Sequence, residues 1–328
     1  MSASGILVII ETEAGVATPL GCEILGLARR LGDEQGHEVT AIVLGTELGE
    51  AGMDLPSRGA DRVVRIDHPA LGDYQADAWL PDIAKTARKL APALIIAGHS
   101  PVGVDLVPRL AFRLESAVTT ACIEVAAKRG KLQFTRNCFG GKAREVSSFR
   151  TATVVATILP KSQKALHPNP ARSGEIVDQD SVLEADSIRT RIVERVRDES
   201  TSAAVETATV IVAGGGGMNG PDGFRTAREL ANALGGALGA TRLACDLGWC
   251  APDLQIGVSG RTVAPELYLA IGISGAVHHT AGCANSKAIV AINSDADAPI
   301  FALSRFGIVG DCHDLMPALI AAVEATKT

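Results

Sequence analysis

A chain of 328 residues with 47% apolar and 21% charged positions is too long for one ordinary domain and too apolar to be disordered, so two packed domains are expected. Its 31 Lys+Arg against 37 Asp+Glu leave a formal charge of -6, which removes the electrostatic ground for a nucleic-acid partner or for adhesion to an anionic membrane. Seven scattered cysteines without CxxC spacing read as reduced thiols, and the first basic residue is Arg29, too late for a signal-peptide flank; the expected location is cytoplasmic.

In chain order, Ile6 to Ile10, Val39 to Leu44, Val63 to Ile66 and Ala93 to Ala97 are short β-branched runs, apolar enough for strands covered on both faces. Helices are expected between them at about 18–31, 75–90 and 104–114, and that alternation predicts a mostly parallel α/β sheet. From about residue 118 the texture changes. Ile123 to Ala126, Leu132 to Phe134, Glu145 to Phe149 and Thr153 to Leu159 follow with no room for helices and predict an antiparallel extension. Residues 160–187, with Pro160, Pro168 and Pro170, predict an irregular connection, and Arg191 to Arg197 alternates as a solvent-faced strand would.

A second α/β unit starts near residue 206. Thr207 to Ala213 predicts a buried strand, Asp222 to Leu234 a helix, and Gly239 to Ala244, Leu267 to Ile271, Lys287 to Ile292 and Pro299 to Leu303 further strands, with a closing helix at about 313–325. The uncharged stretch Leu267 to Ser286 carries Ser274, His278, His279 and Thr280 among its glycines and makes a poor membrane span; no membrane insertion is expected.

Two turns of this unit carry candidate chemistry. After the strand ending at Ala213 come Gly214-Gly215-Gly216-Gly217-Met218-Asn219-Gly220 and a helix opened by Pro221 and Asp222. Glycines there let backbone N–H groups approach a phosphate at a helix N-terminus, though they equally suit a tight turn with no ligand. Gly215, Gly217 and Gly220 fit GxGxxG with Asp246 beyond the next strand, the basis of an NAD-linked dehydrogenase reading. The second turn, Gly272 to His279, follows another strand, with Ser274 as its expected N-cap. His278, His279 and Cys283 fall short of a zinc pattern, so no metal is assigned. In the first domain His99, Ser100 and Asp105 lie too close in sequence for a catalytic triad, and Cys122, Cys138, Cys245, Cys250, Cys283 and Cys312 read as buried or incidental thiols.

The run Val263 to His279, together with Ala291-Ile292-Asn293, Ala298-Pro299-Ile300-Phe301 and Gly307-Ile308-Val309-Gly310-Asp311, resembles the electron transfer flavoprotein alpha subunit family, densely over 207–328 and collinearly before that. The resemblance implies an N-terminal mostly parallel α/β domain with an antiparallel extension, residues 1–200, contacting a beta subunit. A C-terminal doubly wound, flavodoxin-like or Rossmann-like domain, residues 206–328, would hold FAD, with a hinge near 198–206. FAD would relay electrons, as in β-oxidation, from flavin dehydrogenases such as acyl-CoA or N-methyl amine dehydrogenases to a membrane quinone oxidoreductase or another acceptor. No residue of the chain would make or break a bond.

Carried over by resemblance, Gly215, Gly216 and Gly217 and Ser274, Gly275, Ala276 and Val277 hold phosphates and flavin. Arg242 would lie over the isoalloxazine ring, Ser259 would hydrogen-bond its N5 and His279 would approach its pyrimidine-side carbonyl, with Thr241, Ile256, Gly257, Val258 and His278 in the same cofactor pocket. Asn293, Asp311 and Cys312 stand at the adenosine end. Chemically, a guanidinium that keeps its proton suits a ring that becomes anionic on reduction. Three departures from the family fall on four positions: Gly216 where arginine is common, Val258-Ser259 where Gln-Thr is usual, and His278 where glutamine is usual. They leave open a non-redox nucleotide-binding subunit that has lost FAD.

Overall fold

The computed structural model describes residues 3–327 apart from 129, 140–142, 185–187, 191, 195–204 and 206. The chain forms two compact units, one of residues 1–137 with 144–194 and a second of 138–143 with 195–328. Of the expected hinge, only Val205 lies among the described residues. No helix among them is long and apolar enough to cross a membrane.

The first unit is built on a nine-stranded sheet ordered Glu175–Asp178, Arg62–Asp67, Val39–Gly45, Ile6–Ile10, Leu94–Gly98, Val154–Ile158, Ala117–Lys128, Lys131–Cys138 and Ala143–Ser147. The seven strands from Glu175–Asp178 to Ala117–Lys128 pair in parallel, and the Ala117–Lys128 to Lys131–Cys138 pair is antiparallel. Side-chain alternation explains why the central strands are apolar throughout. Ile6, Val8 and Ile10 pack with Ile24, Leu25 and Leu31 of helix Pro19–Gln35 on one face. Leu7 and Ile9 pack on the other face with Trp79 and Ile83 of helix Ala76–Leu90 and Leu106 and Leu110 of helix Pro101–Arg113.

Three expectations change here. Thr153 to Leu159 does not join the antiparallel extension: Val154–Ile158 is a central parallel strand between Leu94–Gly98 and Ala117–Lys128, which explains why all five of its residues are buried. The segment expected to be irregular contains Glu175–Asp178, a parallel edge strand on Arg62–Asp67 whose Glu175 pairs with Arg62 at 2.8 Å. Arg191 and 195–197 lie outside the described residues, and 192–194 form no strand.

The second unit has a five-stranded, all-parallel sheet ordered Ala237–Ala240, Val210–Gly214, Leu267–Ile271, Ala288–Asn293, Phe306–Val309. That is the flavodoxin-like order, with the reversal of strand order in space between Val210–Gly214 and Leu267–Ile271. Helices Pro221–Ala233 and Cys312–Ala325 cover it through Phe224, Ala227, Leu230 and Met316. Pro299–Leu303, expected as a strand, is a 3-10 turn: Pro299 has no N–H for a ladder, and its fixed φ suits the first helical position. The edge strand is Phe306–Val309 instead, with Phe306, Ile308 and Val309 exposed by 64%, 39% and 58%. The strand expected to reach Ala244 stops at Ala240, and the short helix Arg242–Asp246 follows.

Candidate functional site

The carboxyl ends of the second sheet gather nearly every residue singled out above. Gly215 N–H donates to Ile271 O at 2.9 Å and Gly217 N–H to Gly272 O at 3.0 Å, so the turns after the two central strands lie against each other. A Cβ on Gly215 would stand 2.4 Å from Gly272 O, and one on Gly217 2.8 Å from Gly272 Cα. Close backbone approach therefore requires glycine at both positions, and their amides are already engaged within the protein. Gly216 differs: a Cβ there meets only Leu243 Cδ2, at 3.1 Å.

Thr241 N–H donates to Gly214 O at 3.0 Å, which fixes the start of helix Arg242–Asp246 beside the glycine turn. Arg242 is 70% exposed and its Nε lies 3.2 Å from Asp246 Oδ2. Asp246 thus ends a helix and pairs with Arg242, rather than standing at the strand's end where an NAD ribose would need it. The Thr241 Oγ1 atom is buried with no hydrogen-bond partner among the described residues. An orphaned hydroxyl of this kind is costly unless something else in the functional state binds it.

Ile256 N–H donates to Ala240 O at 2.9 Å, so the loop Ile256, Gly257, Val258, Ser259 runs past the same edge. Val258 N–H donates to His278 O at 2.8 Å, tying this loop to the next one. Val258 is 67% exposed, and the exposed Ser259 accepts a hydrogen bond at 3.0 Å from Gln255 Nε2. Ser274 does not cap a helix; the helix is the single turn Val277–Thr280, beginning after Ala276. Gly275, at φ 89°, allows Ile300 N–H to reach Ser274 O at 3.1 Å. Ser274, Ala276, Val277 and His278 are exposed.

The two histidines separate sharply. His278 faces solvent, whereas His279 is 7% exposed and bonded at both nitrogens. Its Nδ1–H donates to the Ile256 carbonyl at 3.0 Å, which leaves Nε2 to accept from the Tyr268 hydroxyl at 2.9 Å. Burial lowers its pKa from 6.5 to about 4, so the ring is neutral at physiological pH. Cys283, hydrogen-bonded to the same Tyr268, is pushed up to about 12 by burial and stays a thiol.

At the far end, Gly217, Asn219, Gly272, Asn293, Ser294, Asp311 and Cys312 line a pocket of about 170 Å³. Asn293 Nδ2 donates to Ile273 O at 2.9 Å, Asp311 caps helix Cys312–Ala325 by accepting from His313 N–H at 2.8 Å, and Cys312 Sγ–H donates to Gly217 O at 3.4 Å. Sequence reasoning missed Asn219, Ser294, Tyr268 and Gln255. A tyrosine inside an apolar strand was the available signal for one of them, because a buried hydroxyl needs a partner.

The first sheet offers a contrast at its own reversal point, between Ile6–Ile10 and Leu94–Gly98. Ser100 Oγ–H donates to Glu11 Oε1 at 2.6 Å, and a Cβ on Gly98 would lie 2.4 Å from Leu20 Cδ2. The chain's own side chains fill that crevice. Asp105 bonds the Tyr74 hydroxyl at 2.8 Å and Ser100 caps helix Pro101–Arg113, so no triad forms with His99.

Residues 6–182 match the electron transfer flavoprotein domain, and residues 204–284 the electron transfer flavoprotein FAD-binding domain. The electron transfer flavoprotein subunit alpha of Thermoanaerobacterium thermosaccharolyticum is 37% identical over 324 residues, covering 98% of both chains. The chain belongs to the electron transfer flavoprotein alpha subunit family. The Bacillus subtilis electron transfer flavoprotein subunit alpha is also 37% identical, over 96% of this chain and 95% of that relative, and Protein FixB of Clostridium saccharobutylicum is 34% identical over 97% and 95%. Within this chain, the match to the FAD-binding domain spans the glycine turn, Arg242 and the loops at Ile256 to Ser259 and Ser274 to His279. It stops short of Asn293, Asp311 and Cys312.

Proposed function

We propose that this chain is the alpha subunit of a heterodimer whose FAD lies across the carboxyl edge of the five-stranded sheet. The observation that carries this reading is the convergence there of a permanent cation, an orphaned buried hydroxyl and two mutually tied polar loops: Arg242, Thr241 Oγ1, and the Gly257–Ser259 and Ser274–His278 segments. These residues fit a dinucleotide with a redox-active ring. When bound, FAD supplies the capacity to accept and return one or two electrons.

The chain's own residues bind and tune. Arg242, weakly paired and mostly exposed, holds a positive charge where negative charge develops on reduction. Thr241 Oγ1 and Ser259 Oγ donate or accept at the ring's polar edge, while Gly215, Gly216, Gly217, Gly275, Ala276 and Val277 bring backbone close to the phosphates. Asn293, Asp311 and Cys312 shape the adenosine end. His279, neutral and enclosed, holds Ile256 and so positions the Gly257–Ser259 loop; His278 is the histidine available to the ring's pyrimidine side.

In this reading residues 1–200 contact the beta subunit and 206–328 carry FAD, in the cytoplasm. Electrons pass from a flavin dehydrogenase, of the acyl-CoA or N-methyl amine class, to a quinone oxidoreductase or another acceptor. Co-expression with a beta subunit tests it. A yellow complex that releases one FAD per heterodimer on denaturation is expected; a colourless complex that takes up no added FAD overturns the reading.

A further inference from the structure

The geometry points to Cys245 and Cys250 as a dithiol redox site that a small disulfide, such as oxidised glutathione, converts to an internal disulfide. The two sulfurs stand 3.6 Å apart. What holds them there is the end of helix Arg242–Asp246, a Schellman motif. Gly248, left-handed at φ 71°, donates its N–H to Cys245 O at 2.9 Å, and Trp249 N–H reaches back to Ala244 O at 3.0 Å. The turn therefore delivers Cys250 onto Cys245, and Cys245 Sγ also lies 3.6 Å from Ala251 O. The Cys245 sulfur bonds Cys250 Sγ and Ala251 O, while the Cys245 N–H donates to Thr241 O at 3.2 Å.

The two thiols are not equivalent. Cys245 is 9% exposed and Cys250 is half-buried, so an incoming reagent reaches Cys250 first and Cys245 waits behind it. Burial pushes both thiols above their usual range, Cys250 to about 12 with Cys245 and Asp253 adding to the rise and Arg228 opposing it. At neutral pH the pair is protonated and slow to exchange; alkaline conditions expose its chemistry.

The exchange balances. Cys250, deprotonated, attacks one sulfur of the external disulfide and expels a thiolate that takes up the proton. Cys245 then loses its proton, and its sulfur displaces the second thiolate from Cys250. Two protein S–H groups and one external disulfide become one protein disulfide and two small thiols, with two electrons passed to the reagent. Formation staples the carboxyl end of the helix that begins with Arg242. Any effect on a flavin rests on the function proposed above, whereas the exchange itself does not.

The full-length protein, purified with its partner subunit, is incubated with oxidised glutathione at about pH 9 over hours, quenched in acid, denatured and titrated for thiols. Thiols of this chain, counted by alkylation and intact mass after it is separated from its partner in denaturant, should fall from the seven of the sequence to five, with peptide mapping placing the bond between Cys245 and Cys250. Cys250→Ser should keep its remaining six. Retention of all seven thiols, a stable glutathione adduct on Cys250 with Cys245 still reduced, or a bond mapped to any other pair overturns the assignment. None of these readouts depends on colour, so failure here is distinct from failure of the flavin reading.

Discussion

The Tyr268 hydroxyl and His279 Nε2 meet at 2.9 Å inside the second unit, while Nδ1 of the same ring holds the Ile256 carbonyl. This bridge joins a central strand to the loop that carries Ser259. Burial places the His279 pKa near 4, below the 6.5 of the unfolded chain, so between these values the unfolded state binds more protons. Stability is full above about pH 6.5 and falls as pH drops toward 4, by on the order of 3 kcal/mol. Urea midpoints measured from pH 7 to 4 should show the decline, and His279→Gln should flatten it; an unchanged slope refutes the bridge's role.

Thr241→Val separates folding from binding. It removes a buried hydroxyl that has no partner, so urea unfolding should show no loss of stability and up to about 1 kcal/mol of gain. FAD retention should weaken roughly two- to tenfold, the worth of one hydrogen bond. Equilibrium dialysis with FAD checks the second half.

Gly216→Arg and Gly217→Ala should behave oppositely despite being neighbours. At Gly216 an added side chain meets only the exposed Leu243, which can yield, so folding should be nearly unaffected. The added cation should tighten FAD retention and raise the flavin potential; no change in either removes the argument that this departure matters. Gly217→Ala drives a Cβ into the Gly272 backbone and should cost about 1–3 kcal/mol in urea unfolding.

Arg242→Ala should leave folding intact, because its only described partner is the exposed Asp246. The flavin potential should drop by roughly 20 to 90 mV for the two-electron couple, toward the smaller figure because the side chain is so accessible. The one-electron reduced form should accumulate less. A redox titration identical to the unsubstituted protein rules out the assigned role.

Much of this fold is legible in the sequence because burial on both faces writes itself as unbroken apolar runs, as in Ile6–Ile10 and Leu267–Ile271. Direction is not. Val154–Ile158 carries the same signature whether parallel or antiparallel, and its direction is set by Leu94–Gly98, some 60 residues away in the chain. The resemblance marks the carboxyl-edge loops, but adjacency hides how unlike His278 and His279 are: one helical turn points one outward and encloses the other. Glycine likewise looks uniform across 214–217, although only Gly216 has room around it.

Phe306–Val309 closes its sheet with an exposed, apolar rim, and the Arg305 guanidinium lies 5.9 Å from the Phe306 ring centroid. Strands left open in this way invite copies of themselves to add on. Concentrated stocks of the chain prepared alone should therefore turn cloudy on standing, and a lysine at Ile308 should keep them clear.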